Sequence, residues 1–229
     1  MFSLEIYIFA YNRFISSNMF VDIHTHNSLE LHFPVVRNLN FSEAGEIFSS
    51  SAKGFFSVGF HPWFADEYPA DAFSKLESWA NDNRLVAIGE CGLDKNSKVP
   101  IDKRLQVFEQ QISLSEKAQK PLIIHCVGCF NDLFNLKRRL APQQLWIIHG
   151  FRGKPELATQ ALKAGCALSF GEYFNEESVR ITPLDKLFLE TDESNLSIAE
   201  IYRRIAVVKD VNPELLIAGE LIYQYFIVK

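Results

Sequence analysis

The sequence has little cysteine, no excess of positive charge and no long apolar run. Four cysteines in 229 residues (Cys91, Cys126, Cys129 and Cys166) are too few for a disulfide framework and fit a reducing, cytosolic compartment. The "CVGC" at 126–129 has the spacing of half a zinc site, but no second pair completes it, so packing thiols are expected. With 23 Lys and Arg against 28 Asp and Glu, the net charge of −5 argues against a broad basic surface for grasping a duplex. A local metal site could still receive a phosphate. No stretch approaches the ~18 apolar residues of a membrane span. Internal repeats and low-complexity tracts are also missing.

At 48% hydrophobic and 22% charged, the chain has the composition of one large globular core. Its opening, "MFSLEIYIFAYNRFISSN", lacks a basic n-region, carries Glu5 within its apolar run and ends without a clear cleavage site, so a secretory signal is not expected. Residues 1–18 are expected to be an extension outside the core fold. A single domain is expected over 19–229, with no obligate protein partner evident.

From Met19 onward, short β-rich runs alternate with amphipathic stretches. The strands expected are 20–23, 33–39, 55–60, 85–90, 121–126, 145–150, 166–171 and 186–191. Helical patterns lie between them: "SEAGEIFSS" with Ser42 as N-cap, "DAFSKLESWAND", "DKRLQVFEQQISLSEKAQ", "CFNDLFNLKRRL", and "KPELATQALKAG" closing on Gly165. "SIAEIYRRIAVVKD" and 213–228 finish the chain, with Pro213 suited to a first turn. Near-continuous apolar strands need cover on both faces, so eight of them with intervening helices predict a compact α/β TIM barrel, (β/α)8, with short βα loops.

"FVDIHTH" at 20–26 places an acid and two histidines at the end of the first strand. Strand alternation would put Asp22, His24 and His26 on one face and Val21 and Ile23 on the other. Taken alone the stretch fits satisfied or solvent-facing histidines, an acid/base pair, or a metal site. The other ionisable residues narrow the choice. His61 follows the third strand, Glu90 closes the fourth, His125 lies at the fifth, His149 at the sixth, and Asp192 follows the eighth. A barrel gathers these C-terminal ends on its active face. Converging His, Glu and Asp without Cys suit Zn, Mn, Mg or a similar divalent ion, and six such ligands suit two ions better than one.

In order along the chain stand "DIHTH" (22–26), "GFHPW" (59–63), "AIGECGLD" (87–94), "KPLIIHC" (120–126), "IIHGFRG" (147–153) and "LETDES" (189–194). In these the sequence resembles the TatD-like metal-dependent hydrolases, (β/α)8 barrels related to the amidohydrolases and often described as deoxyribonucleases. The resemblance implies that His24, His26, Glu90 and Asp192 hold one ion, and that Glu90 bridges to a second held also by His125 and His149. Asp192 would then be the general base toward a metal-activated water, with Glu90 the second catalytic carboxylate. Asp22 is expected to orient an imidazole, and His61 to sit at the rim or serve structure. Gly89, Gly92 and Gly150 are expected to permit tight strand-end turns.

The sequence departs from the family's pattern where substrate would bind. No Arg stands two residues after His125, the connection from His26 to "GFHP" is short, and "ETDES" replaces the usual "ETDAP". Arg152 is the remaining cationic candidate. These departures spare every expected ligand but remove substrate-contact loops, so the resemblance supports hydrolysis far more strongly than DNA as the substrate. Phosphodiester hydrolysis, with DNA ends or short single strands as substrates, is the leading expectation. Hydrolysis of a small amide or ester is the alternative, and a non-catalytic metal-holding protein the third reading. A basic rim would favour the first and an apolar rim the second.

Overall fold

A computed structural model describes residues 20–27 and 34–216. Eight parallel strands run in the order β1 to β8: Asp22–Thr25, Val35–Leu39, Phe55–Val58, Leu85–Asp94, Leu122–Val127, Trp146–Ile148, Ala167–Phe170 and Leu187–Leu189. Beyond β8 the chain continues as a bridge from Asp192 to Thr25, with His26 N–H donating to Asp192 O (3.1 Å) and Asp192 N–H to His24 O (2.9 Å). The barrel thus closes through the residue expected to be its base.

Helices α1 (Phe41–Phe48), α2 (Ala72–Trp79), α3 (Ile101–Ala118), α4 (Phe130–Leu140), α5 (Pro155–Lys163), α6 (Glu176–Ile181) and α7 (Ile198–Lys209) surround it. Two apolar layers result. Inside the barrel Ile23, Val86, Ile123, Ile147 and Phe188 pack beneath the strand ends. Outside, Leu76, Phe108, Leu133, Trp146 and Tyr202 are fully buried between strands and helices. Burial of this order, at roughly 1.5–3 kcal/mol per large side chain, holds the strand ends in register.

Each expected strand is present, with local differences. β1 begins two residues later than expected, and β4 runs on to Asp94. The cap of α1 is Asn40 rather than Ser42: its side chain accepts from Glu43 N–H while Glu43 accepts from Asn40 N–H, so both ends of a capping box are satisfied. Gly165 follows the C-cap of α5 at φ +79, where glycine avoids the strain a side chain would bring. The stretch between β7 and β8 holds only the six-residue α6 and a turn of 3-10 helix at Leu184–Lys186. Pro213 opens a 3-10 turn, Pro213–Leu216; the rest of the helix expected over 213–228, like residues 1–18, lies outside the described residues.

Two register slips place the site. Between Asp22 and Thr25, three steps of β1 oppose two of β2, so the alternation breaks after Ile23. Ile23 packs inside the barrel and His24 also turns inward. The expectation that Asp22 shares a face with His24 and His26 is thereby corrected. A second slip, between Ile88 and Cys91, delivers Glu90 to the interior. Gly89, with φ +156, lies where a Cβ would come within 2.6 Å of Ile123 O, so only glycine permits β4 to approach β5 here.

Candidate metal centre

The Glu90 carboxylate lies at the centre of the strand ends, nearly buried, and its two oxygens divide the histidines. Oε1 lies 2.8 Å from His125 Nδ1, 2.8 Å from His149 Nε2 and 3.4 Å from His61 Nε2. Oε2 lies 3.4 Å from His26 Nε2 and 3.7 Å from His24 Nε2. Asp192 Oδ1 faces the second group, 3.7 Å from His24 Nε2 and 3.6 Å from His26 Nε2. A carboxylate with a separate imidazole set at each oxygen could face a cation on either side.

Three groupings bring ligand atoms within reach of one ion: His24 with His26 and Glu90, His24 with His149 and Asp192, and His61 with Glu90 and His125. The donor set fits a divalent ion on a further ground. His24 is fully buried, yet among the described residues neither of its ring nitrogens has a hydrogen-bond partner, its Nε2 lying 3.7 Å from the nearest carboxylate oxygens. Such a group costs free energy unless something binds it. An ion shared with Asp192 and Glu90 would satisfy His24 Nε2.

Proton affinities reflect the crowding. Burial drives the Glu90 carboxyl upward, but the His149 charge and the hydrogen bonds from His125, His149 and His26 outweigh it and hold the group well below its ordinary range. Burial lowers His149, and the Glu90 charge with the hydrogen bonds to Glu190 and Glu90 more than reverses this, leaving it well above. Asp192 is raised by burial and lowered further by His24 and His149, so it stays ionised.

The rings are aimed by residues around them. His125 Nε2 lies 2.8 Å from Asp94 Oδ2, which also accepts from Trp63 Nε1 at 2.8 Å. With Nε2–H committed to Asp94, His125 presents Nδ1 to Glu90. His149 Nδ1 lies 3.3 Å from Glu190 Oε1, which also accepts from Gly150 N–H at 2.6 Å. His61 Nδ1 accepts from Trp63 N–H at 3.2 Å, turning Nε2 toward Glu90.

All six expected ligands therefore converge. His61, expected at the rim or in a structural role, stands within the cluster. Asp22 does not orient an imidazole: its carboxylate accepts from Thr191 Oγ1 (2.5 Å), Thr191 N (3.1 Å) and His24 N (3.2 Å). Burial pushes its pKa up to about 7. Arg152 is exposed, with its guanidinium 5.2 Å from the Tyr173 ring centre. Asp94, Glu190 and Trp63 were not singled out in the sequence. The first two lie near a singled-out carboxylate in sequence: Glu190 two residues before Asp192, and Asp94 on the strand that bears Glu90.

The fold and the cluster together define a (β/α)8 barrel with a His/Glu/Asp cluster able to hold a metal at the C-terminal ends of its strands. The sequence profile described as "TatD related DNase" matches residues 19–214, and the chain belongs to that family. It is 32% identical over 175 residues to "Deoxyribonuclease Tat-D" of Schizosaccharomyces pombe, covering 67% of this chain and 54% of that one. It is 28% identical over 146 residues to "3'-5' ssDNA/RNA exonuclease TatD" of Pantoea ananatis, covering 59% and 56%. The chain thus spans about half the length of these curated relatives. The crystal structure of YJJV, a TatD homologue from Escherichia coli K12, superposes with a TM-score of 0.77 at 17% identity, covering 92% of this chain and 98% of that one. That likeness bears on the fold.

Proposed function

We propose that the chain is a metal-dependent hydrolase that cuts phosphodiester bonds of single-stranded nucleic acid or DNA ends, with two divalent ions bridged by Glu90. The observation that carries this reading is the division of five histidines between the two Glu90 oxygens. Two bound cations would supply a water of lowered pKa and neutralise charge on the phosphate. Asp192, its pKa lowered and its side chain 29% exposed beside His24 and His26, would take a proton from that water. Asp94 and Glu190 hold the imidazoles of His125 and His149 in orientation.

The names of the relatives support nucleic acid as substrate. The rim is aromatic more than basic, with Trp63, Phe64 and Tyr173 exposed and Arg152 beside Tyr173. That is the feature expected to favour a small amide or ester, so the phosphodiester reading rests on the Glu90 arrangement and on the relatives' names. A reducing, cytosolic location is part of the proposal, since all four cysteines are free thiols. Among the described residues no helix is long and apolar enough to cross a membrane. The test is turnover by metal-reconstituted protein of a labelled single-stranded oligonucleotide, bis(p-nitrophenyl) phosphate and a small amide. Cleavage of the phosphodiesters supports the reading; cleavage of the amide alone overturns it.

A further inference from the structure

Trp63 is half exposed at 50%, yet it is held at two points: its indole N–H donates to Asp94 Oδ2 at 2.8 Å and its backbone N–H to His61 Nδ1 at 3.2 Å. The turn that carries it is tied down as well, by Ser97 Oγ donating to Pro62 O at 2.9 Å. An aromatic ring left open to water and fixed in orientation beside two histidines of the cluster does little for the core. It is pre-organised to meet something flat, because its rotamer freedom is already lost before a ligand arrives.

A second such position lies after β7. Tyr173 is 61% exposed although the Arg152 guanidinium sits 5.2 Å from its ring centre. Arg152 comes from the loop after β6, three residues beyond His149. The neighbouring Glu172 carboxylate bonds Ser194 Oγ at 2.7 Å, which joins this loop to the one that follows Asp192. In an eight-stranded barrel of order β1 to β8, β3 and β7 are four strands apart and so stand opposite each other. Trp63 and the Arg152–Tyr173 pair therefore flank the Glu90 cluster from opposite sides of the barrel mouth.

We propose that these are two nucleobase-stacking positions, Trp63 on one side of the scissile phosphate and Arg152–Tyr173 on the other. Every base offers a π-face, and stacking on aromatic or guanidinium planes binds single strands without reading sequence. Two platforms separated by a metal centre require the flanking bases to be splayed apart, which a single strand or frayed end allows and a stacked duplex opposes. Beside Trp63 a cavity of about 360 Å³ continues outward, lined by Trp63, Phe64, Asp66, Glu67 and Lys98 among others. With two carboxylates against the single ammonium of Lys98 it has no net positive charge to draw a phosphate, and its aromatic side suits a base. The assignment also answers how a chain of net charge −5 could hold a polyanion: the grip falls on the bases, with charge neutralised mainly at the centre.

This inference rests on the nuclease reading, and its test separates the two. The Mg²⁺-loaded full chain is given a single-stranded oligonucleotide and an abasic strand of the same length, each with KM and kcat determined. The same is done for Trp63→Phe, Trp63→Ala, Tyr173→Phe and Tyr173→Leu. Stacking predicts that Tyr173→Leu raises KM for the base-bearing strand on the order of tenfold while Tyr173→Phe retains the parent value. It predicts that the preference for bases over the abasic strand shrinks in Trp63→Ala more than in Trp63→Phe, since both lose the bond to Asp94 but only one keeps a ring. An equal preference for bases in the parent, Trp63→Ala and Tyr173→Leu overturns the inference and leaves nuclease activity standing. A parent that cuts neither strand overturns both.

Discussion

Asp94 Oδ2 receives Trp63 Nε1–H and faces His125 Nε2, each at 2.8 Å, so one oxygen of a buried carboxylate fixes both a rim side chain and a candidate ligand. Arg104 in turn donates to the Asp94 backbone carbonyl, which anchors the end of β4. Removing the carboxylate with Asp94→Ala should leave His125 free to rotate and weaken the ion on the Oε1 side of Glu90 roughly 10–100-fold. Calorimetric titration of metal-free protein checks this. Unchanged affinity for both ions would show that His125 is not aimed by Asp94.

The unpartnered nitrogens of His24 predict opposite effects with and without metal. In chelator, His24→Met replaces a buried ring lacking hydrogen bonds by an apolar side chain of similar volume, and should raise unfolding free energy by about 1 kcal/mol or more. With added Mn²⁺ the parent should be stabilised and the variant much less so. Denaturant unfolding under both conditions measures each sign. Destabilisation of the metal-free variant would contradict the account of His24.

Asp22 should give stability a dependence on pH. Its carboxyl titrates near 3.8 when unfolded and near 7 in the fold, where burial raises it. Between these values the folded protein holds more protons than the unfolded chain, so the group's contribution is complete below about pH 4 and is lost as pH rises toward 7. The loss amounts to as much as ~4 kcal/mol. Asp22→Asn does not titrate and should lack this decline. Melting of metal-free parent and variant from pH 4.5 to 7.5 isolates the difference, and parallel curves would count against it.

Asp192 and Glu90 should fail differently. Asp192→Asn keeps an oxygen toward His24 and His26 but cannot accept a proton, so turnover should drop by about 100-fold or more while most metal remains. Glu90→Gln removes charge from between two cations, so the second ion should bind more weakly and excess metal should restore some activity. Rescue of Asp192→Asn rather than Glu90→Gln would reverse the assignments.

The eight strands were legible because buried parallel strands are short apolar runs. The convergence of the six residues expected as ligands followed from their standing at or near strand ends, their assignment as ligands resting on the resemblance. The geometry between Asp22 and His24 was not. A slip of one residue within β1 leaves no trace in a period of two, and it sends Asp22 to Thr191 rather than to the imidazoles. The Asn40 cap was missed because Ser42 and Asn40 are both good capping residues, and only the reciprocal bond with Glu43 distinguishes them. Asp94, Glu190 and the anchored face of Trp63 depend on contacts between residues 31 to 41 positions apart, which a reading along one strand cannot supply.

The central claim is that Glu90 bridges two divalent ions. Crystals grown with Mn²⁺, measured for anomalous scattering, test it most directly. Two peaks are expected, one between Glu90 Oε2, His24, His26 and Asp192 and the other between Glu90 Oε1, His125 and His149. A single peak, or none within reach of Glu90 at full Mn²⁺ loading, would contradict it.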